Sequence, residues 1–225
     1  MELEFLAKYY KFYLSGTSIT LFLSFFGVIL GTILGVILAL LKLSKFKIFN
    51  IEILSKIASI YIEVVRGTPL FVQLLMVYYG LPIVLGVELP DVFAGIVAVS
   101  LNSAAYVAEI IRAGILSIDK GQMEAARSLG MSHSTAMKYI IIPQAFKNIL
   151  PALGNEFVVL IKESAIVSVV GIHDLMYNTE TIRGISYQPF APLIPAAIIY
   201  FIITFSISKL LGKIERGLRA GDSHI

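Results

Sequence analysis

Five stretches of the chain are apolar for long enough to matter, and each is bounded by charge or by proline. Phe12 to Leu41 carries no charged residue at all. A helix needs roughly 20 apolar residues to cross a hydrocarbon core, so 12–41 predicts a first membrane span. A second runs over 57–81 and holds Glu63 and Arg66; a third over 92–111, with Glu109 near its end. The fourth, 151–171, contains Lys162 and Glu163, and the fifth, 191–211, is free of charge until Lys209. The expected fold is an all-α integral membrane protein with five transmembrane helices, forming one domain over 1–225 with no strong internal repeat and no extended polar linker. An odd number of crossings puts the two termini on opposite sides.

Between the third and fourth spans lies a polar loop, 119–143, with the punctuation of short helices. Asp119 is placed to cap a helix, with Gln122 three positions on as a capping box wants. Met123, Ala126 and Leu129 recur at helical spacing. Gly130 permits the left-handed stop. Ser132 or Ser134 then opens a second short helix lined by Met137, Ile140 and Ile141, which Pro143 is expected to interrupt. Two short helices joined at a glycine make a compact knob, suited to sit in a partner's cleft. Ala125 and Ala126 keep its surface low, and Glu124 offers charge at the rim.

These residues carry a resemblance. Glu124-Ala125-Ala126, Gly130 six positions after the glutamate, and Ile140-x-Ile142-Pro143 resemble the EAA loop of importer-type ABC transporter permeases. Ile142 stands where that pattern has leucine, a volume-conserving change. Arg66-Gly67-Thr68-Pro69-Leu70, the run Leu101-Asn102-Ser103-Ala104-Ala105-Tyr106 with Glu109, Arg112 and Gly114, and Lys162-Glu163-Ser164 are similar to the polar amino acid branch of that family. The similarity covers roughly Ser15 to Gly217. It implies a type I importer permease in the prokaryotic cytoplasmic membrane, working as a dimer with an identical or homologous second permease. It implies three further partners: cytosolic ATPases that grip the loop through Glu124, Ala125, Ala126, Gly130, Ile140 and Pro143, an extracytoplasmic solute-binding protein, and an amino acid as solute. ATP and its Mg would sit on the ATPase, which would close, push the knobs and open the path outward.

Composition agrees. The chain is 57% hydrophobic and only 15% charged, with a mean hydropathy of +0.86, where soluble domains carry about 25% charged residues. Cysteine is absent and the three histidines are scattered, which argues against a metal site and leaves no disulfide framework. There is no phosphate-binding Gly-x-x-x-x-Gly-Lys-Ser/Thr, no nucleic-acid motif and no catalytic constellation. The reading is a transport subunit with no cofactor of its own, not an enzyme. The first residues carry both signs of charge and precede too long an apolar run for a cleaved signal peptide.

The net charge of +3 matters less than its distribution. Lys42, Lys45, Lys47 and Lys56 follow the first span; Arg112, Lys120, Arg127, Lys138 and Lys147 the third; Lys209, Lys213, Arg216 and Arg219 close the chain. Those thirteen of the eighteen basic residues share one side under a five-span count, and basic loops stay cytosolic. The N-terminus is therefore expected outside, the C-terminus and the 119–143 loop inside. Tyr9, Tyr10 and Tyr13 suit an outer aromatic anchor or the start of an ordinary amphipathic helix.

Charges within spans are candidate sites by default, because insertion costs at least ~2.5 kcal/mol each. Glu109 with Arg112, and Glu63 with Arg66, have the three-residue spacing of structural pairs near the cytosolic ends. Glu163 is different: about 18 Å in from Pro151, it reaches the midplane, where Asn102 of span three also arrives. Glu163, Asn102, Ser103, Ser164 and Thr68 are the candidate substrate-binding residues. Two readings of Glu163 stand: it meets a cationic solute, or it pairs with Lys162 or another subunit or is held protonated. Gly67-Thr68-Pro69 either breaks span two beside a solute path or merely kinks it. The function these readings favour is ATP-driven import of a basic amino acid such as arginine, lysine or histidine. Glutamine or glutamate is the alternative solute, and a passive channel or secondary carrier the alternative machine.

Overall fold

A computed structural model describes residues 2–44 and 52–220, with side chains over 4–44 and 52–217. Lys45, Lys47 and the side chain of Arg219, counted above for orientation, lie outside the described residues. The described chain is helical throughout: α1 (Glu2–Leu43), α2 (Ile53–Gly67), α3 (Leu70–Leu85), α4 (Asp91–Leu116), α5 (Lys120–Ser128), α6 (His133–Ala136), α7 (Ile142–Glu163), α8 (Leu175–Ser186) and α9 (Leu193–Ala220). Of these, α1, α4 and α9 are long and apolar enough to cross a membrane, and α2 with α3 adds a fourth if the bent pair is one crossing.

α1 and α4 form the spine. Glycines at 27, 31 and 35 recur every fourth residue on one face of α1. A Cβ at Gly27 would come within 2.9 Å of Val99, one at Gly31 within 2.8 Å of Ser103, and one at Gly35 within 2.5 Å of Val107. Small residues at this spacing let backbones close on each other, which matters in lipid, where apolar burial adds little between helices. Both numbers advance together, so the two helices run in the same direction. α4 answers with its own small side chains, Ala94, Gly95, Ala98, Ser100, Ser103, Ala104, Ala105 and Ala108, all buried.

α7 runs against α4: Gly114 packs on Ile149, Ser103 meets Glu156, and Gly95 lies against Val167. α9 starts beside the start of α1, where Tyr9, Tyr13, Leu175, Ile182 and Ala196 form a second core. Tyr13 is buried there and donates its hydroxyl to Pro192 O at 2.9 Å, and Tyr9 is buried beside it, so two of the three expected anchor tyrosines are packing residues.

Three boundaries depart from the apolar pattern. The second apolar stretch bends by 109° between α2 and α3, because Thr68 is extended (ψ 145°) and Pro69 has no N–H to continue the ladder. Pro143 interrupts nothing. A π-helical turn over Met137–Ile141 leads straight into α7 with the proline in its first turn, where a missing N–H is harmless. Pro151, the expected start of the fourth span, sits inside α7. After Glu163 the chain tightens into a 3-10 helix over Ser164–Val170, ended by Gly171 at φ 85°.

α8 was not legible as a separate element. Its twelve residues open on Asp174, whose side chain accepts from Tyr177 N. It is stitched to α1 by Asn178 Nδ2 donating to Phe12 O (2.8 Å) and by Leu175 N donating to Thr20 Oγ1 (3.1 Å).

Candidate functional site

Polar groups gather on α4 where it packs against α3 and against α7. Asn102 and Ser103, adjacent on α4, are both buried. Asn102 Nδ2 donates to Gln73 Oε1 of α3 at 2.9 Å, and Ser103 Oγ donates to Glu156 Oε1 of α7 at 3.2 Å. Glu163 lies seven residues beyond Glu156. Seven residues turn a helix through about 700°, so the two carboxylates share one face about 10 Å apart along the axis. Glu163 is exposed on the described chain, and so is Lys162.

Glu156 was missing from the sequence-based candidates. The signal that could have found it is the i, i+7 spacing to Glu163 within the same apolar stretch. Both carboxylates lie within the expected 151–171 span, seven residues apart on one stripe.

Thr68 sits at the break, where its hydroxyl donates to Val64 O at 2.9 Å and accepts from Gln73 Nε2 at 2.9 Å. It joins the cluster through Gln73. Ser164 does not. It is fully buried, its hydroxyl donates to Ile161 O at 3.0 Å, and it accepts from Ser24 of α1 at 3.5 Å. Its neighbours are the packing serines of α1, not the carboxylates of α7.

The expected pair of Glu63 and Arg66 is replaced by a wider network. Glu109 takes Lys42 Nζ at 2.5 Å and Arg112 NH2 at 2.9 Å, with Arg66 NH1 at 3.9 Å. Arg66 also lies over the Tyr106 ring, 5.6 Å from its centroid. One carboxylate thus ties α1, α2 and α4 together, while Glu63 remains exposed. The Glu109–Arg112 pair forms as its spacing implies.

The 119–143 loop folds as two short helices around a glycine. Asp119 caps α5 by accepting from Gly121 N at 2.7 Å. Gln122 accepts from Gln144 at 3.4 Å, which ties α5 to α7. Gly130 has φ 82°, and Ser132 caps α6 by accepting from Thr135 N at 3.1 Å. The apolar stripe divides: Ala126 is buried, Met123 half-buried, and Leu129 is 84% exposed. Glu124 and Ala125 are also exposed, as is Pro143, and Ile140 is half-buried. The knob therefore presents an acid, a flat alanine and a projecting leucine.

A third feature lies apart, an apolar groove of about 860 Å³ between the first turns of α1 and α9, lined by Leu6, Tyr10, Leu14, Ile194, Ile198 and Ile202 among others.

The family model for the binding-protein-dependent transport system inner membrane component matches residues 27–220. The arginine transport system permease protein ArtQ of Bacillus subtilis (strain 168) is 46% identical over 99% of this chain and 100% of its own length. The putative glutamine transport system permease protein GlnP of Rickettsia bellii is 43% identical over 96% of this chain and 98% of its own. Among solved structures, an amino acid ABC transporter crystallised with histidines contains a chain that is 52% identical, with a TM-score of 0.87, covering 94% of this chain and 96% of that one. The MetNI methionine ABC transporter shares the fold alone, at 20% identity and a TM-score of 0.71 over 95% of this chain. The chain belongs to the family of binding-protein-dependent transport system inner membrane components, the membrane-embedded permease subunits of ABC importers, which are not themselves enzymes.

Proposed function

We propose that this chain is the permease of an ATP-driven importer for basic amino acids. Its relatives are named as amino acid transporters. The cationic preference rests on one observation: Glu156 and Glu163 line one face of α7, Ser103 and Asn102 of α4 lie level with Glu156, and among the described residues no salt bridge closes on either acid, although Lys162 adjoins Glu163 in the chain. Two carboxylates at membrane depth favour a solute bearing a guanidinium, ammonium or imidazolium group.

The chain forms one transmembrane domain with five crossings: α1, the bent α2–α3 pair, α4, α7 with its 3-10 extension, and α9. The alternating directions of α4, α7 and the α1/α9 pair support that count. The N-terminus lies outside and α5–α6 inside. A second copy, or a close relative, completes the path. Cytosolic ATPases, which carry the ATP and Mg, grip the Glu124, Ala125, Ala126, Gly130 knob together with Ile140 and Pro143. α6 runs through the π-turn into α7 without a stop, so motion of the knob reaches Glu156 along one nearly continuous helical rod. A solute-binding protein delivers from outside.

The test is uptake into liposomes holding the permease, its ATPase and its binding protein. Glu163→Gln and Glu156→Gln should each cut arginine uptake at least tenfold while the complex still assembles. Undiminished arginine uptake in both variants rejects the cationic site. Glutamine is the second reading, favoured by the names of several relatives, and uptake of glutamine in preference to arginine by the unaltered complex selects it. A passive channel or secondary carrier would transport without ATP.

A further inference from the structure

Gln73 stands four residues after Pro69, on the first turn of α3. Its Nε2 donates to Val65 O at 2.7 Å, to Thr68 O at 2.9 Å and to Thr68 Oγ1 at 2.9 Å. Val65 O is the carbonyl that residue 69 would satisfy in an unbroken helix, and Pro69 has no N–H to give it. Thr68 O is likewise stranded, since Val72 N bonds Pro69 O instead. The side-chain amide of Gln73 therefore substitutes for the backbone donors that the bend removes. Backbone carbonyls only accept, so the nitrogen end of this amide has to face the break, and its oxygen has to face α4.

That fixes a second amide. Gln73 Oε1 can only accept, so Asn102 presents its own nitrogen to it, across 2.9 Å. The carboxamide oxygen of Asn102 is turned the other way. The residue as a whole is 3% exposed, and among the described residues that oxygen accepts no hydrogen bond, nor is it one of the sealed-off polar atoms. It sits on the same turn of α4 as Ser103, which holds Glu156.

We infer that Gln73 is a specificity-determining positioning residue: by fixing the Asn102 amide with its oxygen outward, it makes this corner of the site an acceptor of hydrogen bonds. The inference rests on the reading of Glu156 and Glu163 as the solute site and adds a third acceptor to it. Such a corner welcomes the N–H groups of a guanidinium or ammonium. It opposes a carbonyl or carboxylate oxygen, which would face another oxygen with no proton between them. Were the Asn102 amide free to turn, it would serve either class of solute.

The experiment compares binding of arginine and of citrulline, its neutral analogue with a carbonyl in place of one guanidinium nitrogen. Calorimetry is done on the detergent-solubilised permease–ATPase complex, so the selectivity of the binding protein does not enter. The unaltered complex should prefer arginine at least tenfold. Gln73→Met removes both ends of the amide and should reduce that preference at least fivefold. Gln73→Glu keeps an oxygen for Asn102 and should retain the preference even if overall affinity falls. A merely structural role for Gln73 predicts equal losses for both ligands, and an unchanged ratio in Gln73→Met overturns the inference. Should that variant fail to assemble, Asn102→Leu takes its place, and a ratio unchanged there overturns it equally. Equal affinity for arginine and citrulline in the unaltered complex rejects the cationic site itself, a distinct result.

Discussion

Ser103 donates its hydroxyl to Oε1 of Glu156 across 3.2 Å, from a position on α4 that is itself fully buried. The bond joins two antiparallel helices and holds a carboxylate with no salt bridge among the described residues. A hydrogen bond to a charged group contributes about 1.5–3 kcal/mol. Ser103→Ala removes this hydrogen bond to Glu156 without adding bulk. Its half-saturation concentration for arginine should rise about tenfold, with assembly of the complex unchanged. Ser103→Thr keeps the hydroxyl and should fall between the two, provided its extra methyl fits against Gly31. Initial-rate uptake at graded arginine concentration measures both.

How much of this site the sequence shows depends on what fixes each residue. Asn102, Ser103 and Thr68 lie in motifs dense with small polar residues, but counting depth to set Asn102 level with Glu163 misses by about 10 Å, since its neighbour Ser103 meets Glu156 instead. Glu156 and Gln73 do not stand out, because their significance comes from partners more than twenty residues away. Ser164 fails as a candidate for the opposite reason. It adjoins Glu163 in sequence, but neighbours on a helix project about 100° apart, and its side of the chain faces Ser24. The second apolar stretch reads as one span because hydropathy does not register direction. The proline that marks the break is visible; the 109° bend is set by the hydrogen bonds Gln73 makes across it.

The glycine ladder at 27, 31 and 35 decides the α1–α4 spacing and is readable as a pattern of fours once the helix is known. A Cβ at Gly35 would lie 2.5 Å from Val107 Cγ1 and 3.0 Å from Ala104 O, so the backbone itself blocks it. Gly35→Leu should lower thermal stability in detergent by several degrees or abolish assembly, since overpacking costs about 1–3 kcal/mol and more where backbones must part. Gly80 has nothing within 4 Å of a Cβ, and Gly80→Ala should leave the melting temperature unchanged. Parallel melts by tryptophan-free dye fluorescence compare the two.

Gly130 separates conformation from contact. Its φ of 82° lies in the left-handed region, yet a Cβ there would meet nothing within 4 Å. Any penalty is therefore in the backbone, about 1–2 kcal/mol for an ordinary L-residue. Gly130→Val should weaken binding of the ATPase three- to tenfold and lower solute-stimulated ATP turnover. Gly130→Asn tolerates the left-handed conformation and should restore most of both. Equal losses in the two would mean that the ATPase contacts position 130 directly. Leu129→Asp, at the exposed tip beside it, should weaken the same binding without altering the fold. Affinity capture with titrated ATPase gives the ratios.

Asp174 is fully buried between the 3-10 helix and α8, outside the membrane-crossing helices, and its Oδ2 has no hydrogen-bond partner. The Tyr200 hydroxyl, also buried, lies near this carboxylate without closing a bond of good geometry among the described residues. Burial pushes the Asp174 carboxyl up to about 6, against smaller opposing effects from the backbone N–H groups it caps and from Tyr200. A carboxyl raised on folding binds a proton that the unfolded chain has released. The protonated form contributes stability below pH ~4, and that contribution is lost as pH rises through about 6, in total about 3 kcal/mol for a shift of this size. The melting temperature should therefore be higher at pH 5 than at pH 7.5. Asp174→Asn keeps a cap acceptor for Tyr177 N and cannot ionise. It should flatten this part of the pH profile and raise the melting temperature at pH 7.5. A variant whose profile parallels that of the unaltered protein would show that other groups set the dependence.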